Sequence, residues 1–392
     1  MFDRSALEAA AAAGVIGAEQ VGPLHDFLAA RAGGSAESAP SGEEELRFIR
    51  NFHDVFLAIG IVLLAAGLMV GIGVYVSGAN VADPRQGVLL TGGLFAGAGV
   101  VMWLLGELFA RRRRLFLPAI AIVCAFTLFA VIAAALLYAG VTLGRGFEDT
   151  NWDFSTMPPQ LRIGALIAAG VAFVAPFVFY LRFRLPFSLG LAGGGAAFFA
   201  IVAAMLANFE LTMRFLPLLY LGLGLLLFLA AIAFDARDPA RNSRFSDNGF
   251  WLHFAAAPLI LNGAFGLIGL LFGNQLSASS PAAGLVQSAS NGGVTQAALT
   301  LAVVLALGFI SLLINRRVLI VSALITTGVA IGILMNAVGL GAGALAASTL
   351  IVLGAFVLIL GASWRATRRA LLGWVKPGGV WARIFPPEAQ TG

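Results

Sequence analysis

The sequence holds three histidines, His25, His53 and His253, and one cysteine, Cys124. His53 and His253 carry the chemical promise. Each stands at the start of a long apolar run, and Asp54 follows His53 directly. An imidazole beside a carboxylate can pass a proton near neutral pH. If the starts of the two runs meet, His53, Asp54 and His253 form one acid–base site. The plainer reading is that histidines at a membrane edge are tolerated without function. A metal ion needs more ligands than two histidines and one acid supply.

Other chemistry is harder to find. DARDPAR, residues 235–241, lacks the glycine and downstream aspartates of a CDP-alcohol phosphotransferase, and no GxSG with a partner histidine marks an intramembrane serine protease. No GxGxxG or P-loop is present, so no cofactor is implied and no complete catalytic motif exists. Charge at mid-membrane is expensive, so ionisable residues inside apolar runs are functional by default. Here Asp54, Glu107 and Glu210 fall at run ends, and a carboxylate proton relay has no candidate. Trp251, Pro258 and Asn262 share one helix face, with Pro258 expected to kink it. Asn262 lies roughly 13 Å deeper than His253. Its expected role is an interhelical hydrogen bond, and its sharper role a polar contact in a substrate cavity.

These residues are set in a chain of 392 amino acids, 60% hydrophobic and only 11% charged. Soluble domains carry roughly 25% charge. A spanning helix needs about 20 mostly apolar residues. About ten segments qualify: 55–77, 87–109, 115–143, 163–181, 185–206, 215–234, 251–273, 296–315, 318–340 and 342–364. They are too continuous for the alternating strands of a membrane barrel. Only Gly341 separates the last two, which form either a hairpin or a broken helix. Gly60, Gly67, Gly71 and Gly78 make a stripe on the first segment, Gly93 with Gly97 and Gly190 with Gly194 repeat the small-xxx-small spacing, and Gly263, Gly266 and Gly269 crowd the seventh. Such stripes let helices pack closely. Cys124, alone and inside an apolar run, is expected to pack rather than react.

Arg111, Arg112, Arg113 and Arg114 interrupt this apolar sequence. In a soluble protein such a run would suggest a polyanion. Threading the segments from a cytoplasmic N-terminus leaves only Arg85, Arg145, Arg162 and Arg214 outside, of 24 basic residues. Every inner turn is then basic, as the positive-inside rule requires. The run is the cytoplasmic turn between the second and third spans. It holds topology and meets anionic headgroups, with Glu107 four residues before Arg111 and able to pair with it. No aromatic residues interleave the arginines, so nucleic acid is not a partner. The loop acids Glu148, Asp149 and Asp153 lack EF-hand spacing and read as solvated.

Residues 1–32 form a small cytoplasmic two-helix module, 33–45 a flexible linker, 46–364 the transmembrane bundle, and 365–392 an interfacial tail. Asp3 and Glu8 fall where a signal peptide would be basic. Leu7, Val15, Ile16, Val21, Leu24, Phe27 and Leu28 provide only a minimal apolar contact, far below what an independent domain needs. The module must dock on a cytoplasmic partner protein, on its own membrane face or on a second copy, which would make a homo-oligomer.

Leu7, Gly14-Val15-Ile16, Glu19-Gln20 and Leu24, with Phe52, Asp54-Val55-Phe56 and Gly60, resemble a family of bacterial predicted membrane proteins, the domain-of-unknown-function family numbered 2157. Trp251-Leu252-His253 with Ala257-Pro258 is similar to such proteins too. The resemblance covers about the first 75 residues. It implies membrane location, no known activity, and no catalytic residues to carry over. The expected fold is therefore all-α, a polytopic bundle of about ten spans with a small N-terminal helical hairpin and both ends in the cytoplasm of a bacterial inner membrane. The expected functions are a permease or flippase-like protein for a neutral or apolar substrate, or a scaffold or sensor recruiting a partner through residues 1–32.

Overall fold

The computed structural model describes residues 4–34, 52–79, 81–142, 157–238, 244–271 and 294–314, with Ile351, Gly354, Ala366 and Ala370. The expected ninth span, nearly all of the tenth, the linker 33–45 beyond residue 34, the loop acids Glu148, Asp149 and Asp153, the uncharged loop after the seventh span and nearly all of the tail lie outside the described residues. The chain divides into two compact units, Met1–Glu45 with Pro387–Gly392, and Leu46–Pro386. Among the described residues every regular element is helical.

In the first unit, α1 (Arg4–Ala12) ends at Gly14, whose φ is +72°. The amides of Gly14 and Val15 donate back to Ala11 and Ala10, at 3.0 Å each, closing the helix in the left-handed conformation that glycine accepts without strain. A 3₁₀ turn over Ala18–Gln20 leads into α2 (Val21–Gly34). Val21 is buried, but Val15 and Phe27 stay exposed. That is the shortfall the composition predicts for so small a unit.

The second unit contains α3 (Phe52–Gly78), α4 (Pro84–Gly106), α5 (Phe116–Thr142), α6 (Pro159–Phe183), α7 (Pro186–Ala207), α8 (Phe209–Asp235), α9 (Arg244–Leu271) and α10 (Val294–Ile314). Among the described residues seven helices, α3 to α9, are long and apolar enough to cross a membrane. They coincide with the first seven apolar segments read from the sequence. Prolines open α4, α6 and α7, where the missing amide hydrogen costs nothing. Asp83 and Asn208 cap α4 and α8 through backbone amides at 2.9 Å.

The helices are apolar on all sides, so lipid competes evenly for every face and close fit decides what packs. Helix α5 is the hub of one half, against α3, α4 and α6. Met102, Ile122, Val123, Phe129 and Phe179 are fully enclosed there. The Trp103 ring stands 5.4 Å from Phe126 and 5.1 Å from Phe183. In the other half α9 packs on α7, α8 and α10. Its seam with α8 is made of small residues. A side chain at Gly263 would stand 2.8 Å from the Leu221 Cα, and one at Gly266 2.8 Å from Pro217. The stripe on α3 behaves differently: Gly60, Gly67, Gly71 and Gly78 meet nothing within 4 Å. The expected close packing of that stripe is not seen among the described residues. Cys124, expected inside the packing, lies exposed on α5.

Candidate functional site

Two contacts fix which helix ends share a level. Glu107, at the end of α4, pairs with Arg182 at the end of α6, and Tyr180 of α6 bonds to Asn248 near the start of α9. The C-terminal ends of α4, α6 and α8 and the N-terminal ends of α7 and α9 therefore lie together. Arg111 to Arg114, Arg182, Arg184 and Arg237 are all at this end.

A buried polar layer lies just inside it. Helix α8 closes its apolar run with Asp235, and α9 returns antiparallel beside it. Gly249 is what allows the carboxylate to fit, since any side chain there would overlap Asp235 Oδ1. One turn further along α9 stands His253, whose Nε2–H donates to Asp235 Oδ2 at 3.1 Å. The histidine is fully buried and Asp235 nearly so. The Phe228 ring meets the imidazole edge-on, 4.9 Å between centroids. Asn248 is also buried. Its Nδ2 donates to Tyr180 Oη at 2.9 Å, and its Oδ1 has no hydrogen-bond partner among the described residues. Gly190 of α7 lets the Trp251 backbone come close: an added Cβ would be 2.7 Å from the Trp251 carbonyl oxygen. Phe187 packs edge-on against the Trp251 ring at 4.7 Å.

An aspartate–histidine contact this deeply buried ties the end of α8 to α9, and losing either partner removes a hydrogen bond from an enclosed polar group. Asp235, like Asp54, Glu107 and Glu210, stands at the end of an apolar helix, and it was not among the acids singled out from the sequence. It entered the sequence reading only within DARDPAR, as part of a phosphotransferase pattern that is incomplete.

The other expected site residues are placed as follows. His53 is exposed at the foot of α3 and Asp54 is buried there, and neither side chain has a hydrogen bond or ion pair among the described residues. The proposed triad does not assemble: His253 is bonded to Asp235, and α3 packs mainly on α4 and α5 while α9 packs on α7, α8 and α10. Pro258 lies within α9, and Asn262 is half-buried four residues on. Asn262 has no side-chain hydrogen bond, so the expected interhelical bond is absent among the described residues. The arginine turn begins as a π-helical turn, Glu107–Arg112. The expected Glu107–Arg111 pair forms at 3.2 Å, and Arg182 adds two contacts to the same carboxylate, at 2.7 and 3.1 Å. Sequence reasoning missed Arg182 here because it is 75 residues away. Asp235, Asn248 and Tyr180 were also missed. The signal for Asp235 was present: an acid ending one span, 18 residues before a histidine one turn into the next.

No group of three or more His, Cys, Asp or Glu side chains placed to hold a metal ion occurs among the described residues. Comparison of this chain with protein-family models, curated proteins and solved structures finds no match.

Proposed function

We propose that this chain is a permease or flippase-like carrier of a neutral or apolar substrate. It would lie in a bacterial inner membrane, with about ten spans, the arginine-rich end and both termini facing the cytoplasm. The resemblance to the uncharacterised family numbered 2157 fits that placement and adds no activity. Asn262 carries the reading. It is a half-buried amide deep within an apolar helix, and its side chain has no hydrogen-bond partner among the described residues. A polar group left so in hydrocarbon costs roughly 1–3 kcal/mol. A substrate that bonds to it recovers that loss. Pro258, one turn away, keeps α9 deformable there, and the Asp235–His253 layer closes the helices on the arginine side.

The test is native mass spectrometry of the chain extracted directly into nanodiscs, beside the Asn262→Leu variant. A carrier retains a stoichiometric small molecule or lipid, and the variant loses it while unfolding no more easily. A variant that unfolds more easily would make Asn262 structural, and an empty native protein would end the proposal. A second reading, a scaffold or sensor, rests on Val15 and Phe27, left 75% and 56% exposed on the N-terminal unit. A protein partner lost on deleting residues 1–42, with no bound small molecule, would favour it.

A further inference from the structure

A cleft of about 690 Å³ opens at the end of α4, lined by Leu104, Glu107, Leu108, Arg111 and Arg112. Its polar wall has an excess of positive charge. The single carboxylate, Glu107, is already held by Arg111 and by two contacts from Arg182. Two guanidiniums thus share one acid, and Arg112 is left to face an incoming anion.

The other wall is apolar and continues away from the arginines. Leu108 is 40% exposed, Leu104 61% and Val101 40%, and Gly97 beyond them meets nothing within 4 Å. Leu104, Val101 and Gly97 lie on one face of α4, and Leu108 follows them in the π-helical turn. From Leu108 to Gly97 the face runs roughly 16 Å at 1.5 Å per residue, about half the thickness of a hydrocarbon core. A positive mouth above a leaflet-deep apolar track matches one molecule class. We propose that this cleft binds one anionic phospholipid, its phosphate between Arg111 and Arg112 and one acyl chain along Leu108, Leu104, Val101 and Gly97. A soluble phosphate would satisfy the arginines and leave the track bare. The inference is independent of Asn262 and of transport.

The test uses the full chain in nanodiscs of phosphatidylcholine doped with phosphatidylglycerol, with retained lipids counted by native mass spectrometry. One phosphatidylglycerol per chain is expected. Each arginine near an anionic surface contributes about five-fold in binding, so Arg111→Gln with Arg112→Gln lowers retention about thirty-fold. The matching double lysine variant restores most of it, which separates charge from misfolding. Gly97→Trp, filling the track, also weakens retention with both arginines present. Equal retention of phosphatidylcholine, an equal loss on Arg237→Gln at another turn, or displacement by millimolar inorganic phosphate would each overturn the assignment. The first two would mean general surface attraction, and the third a soluble anion.

Discussion

Replacing Asp235 with leucine removes the carboxylate while keeping its branching at Cγ, and takes a hydrogen bond from a fully buried imidazole. The magnitude depends on what the pair is. A hydrogen bond between helices in a membrane contributes about 0.6 kcal/mol on average. A buried ion pair broken from one side costs about 3–5 kcal/mol, because the remaining charge finds no water. The 3.1 Å separation and the enclosure by Phe228 and Gly249 favour the larger figure. Asp235→Leu and His253→Phe are each expected to lose about 3 kcal/mol or more, and the double variant far less than their sum. A coupling of at least about 2 kcal/mol should result. Both residues touch further groups, so the cycle rather than either single loss isolates the pair. Reversible unfolding in mixed micelles, followed by tryptophan fluorescence, supplies the four free energies. Additive single losses, or a coupling near 0.6 kcal/mol, would refute the idea that a charged pair holds this end of the helices together.

Glycine position should matter on α9 and not on α3. Gly263→Val drives a side chain into the α8 backbone and should cost about 1–3 kcal/mol, whereas Gly67→Val should change unfolding by less than about 0.5 kcal/mol. In the N-terminal unit, Gly14→Ala puts a Cβ at φ +72° and should cost about 1–2 kcal/mol. Faster hydrogen exchange at Gly14 and Val15 in the full chain would register it, and unchanged exchange would contradict the cap. Asn262→Leu should remove any bound neutral molecule while the helices unfold no more easily, a combination that a structural asparagine cannot give.

The membrane class and the first seven apolar helices were legible because helix length and hydropathy are local properties of the chain. The Glu107–Arg111 pair was legible for the same reason, being one turn apart. What failed was the matching of helix faces. The α3 glycines have the same spacing as seam glycines, yet they meet no described neighbour. Apolar runs without a polar side give no phase, so sequence spacing shows that two small residues share a face and not which helix receives it. His253 was singled out and given the wrong partner, because proximity in the bundle was judged from run starts alone. Asp235 stood equally close to a run boundary, but as its last residue, among arginines.

During synthesis α8 leaves the ribosome before α9. Helix α9 is the least apolar of the seven spans and the most enclosed by its neighbours. Entering lipid alone, it would carry Asn248, His253 and Asn262 with it. Helix α8 is already waiting with a carboxylate at the matching depth and with Gly224 and Leu221 shaped to receive its backbone. The two helices are thus suited to enter the bilayer as a pair, the first chaperoning the second. Damage to the α8 side of the seam should then appear as a mis-threaded chain, with every segment after residue 244 displaced to the wrong side of the membrane.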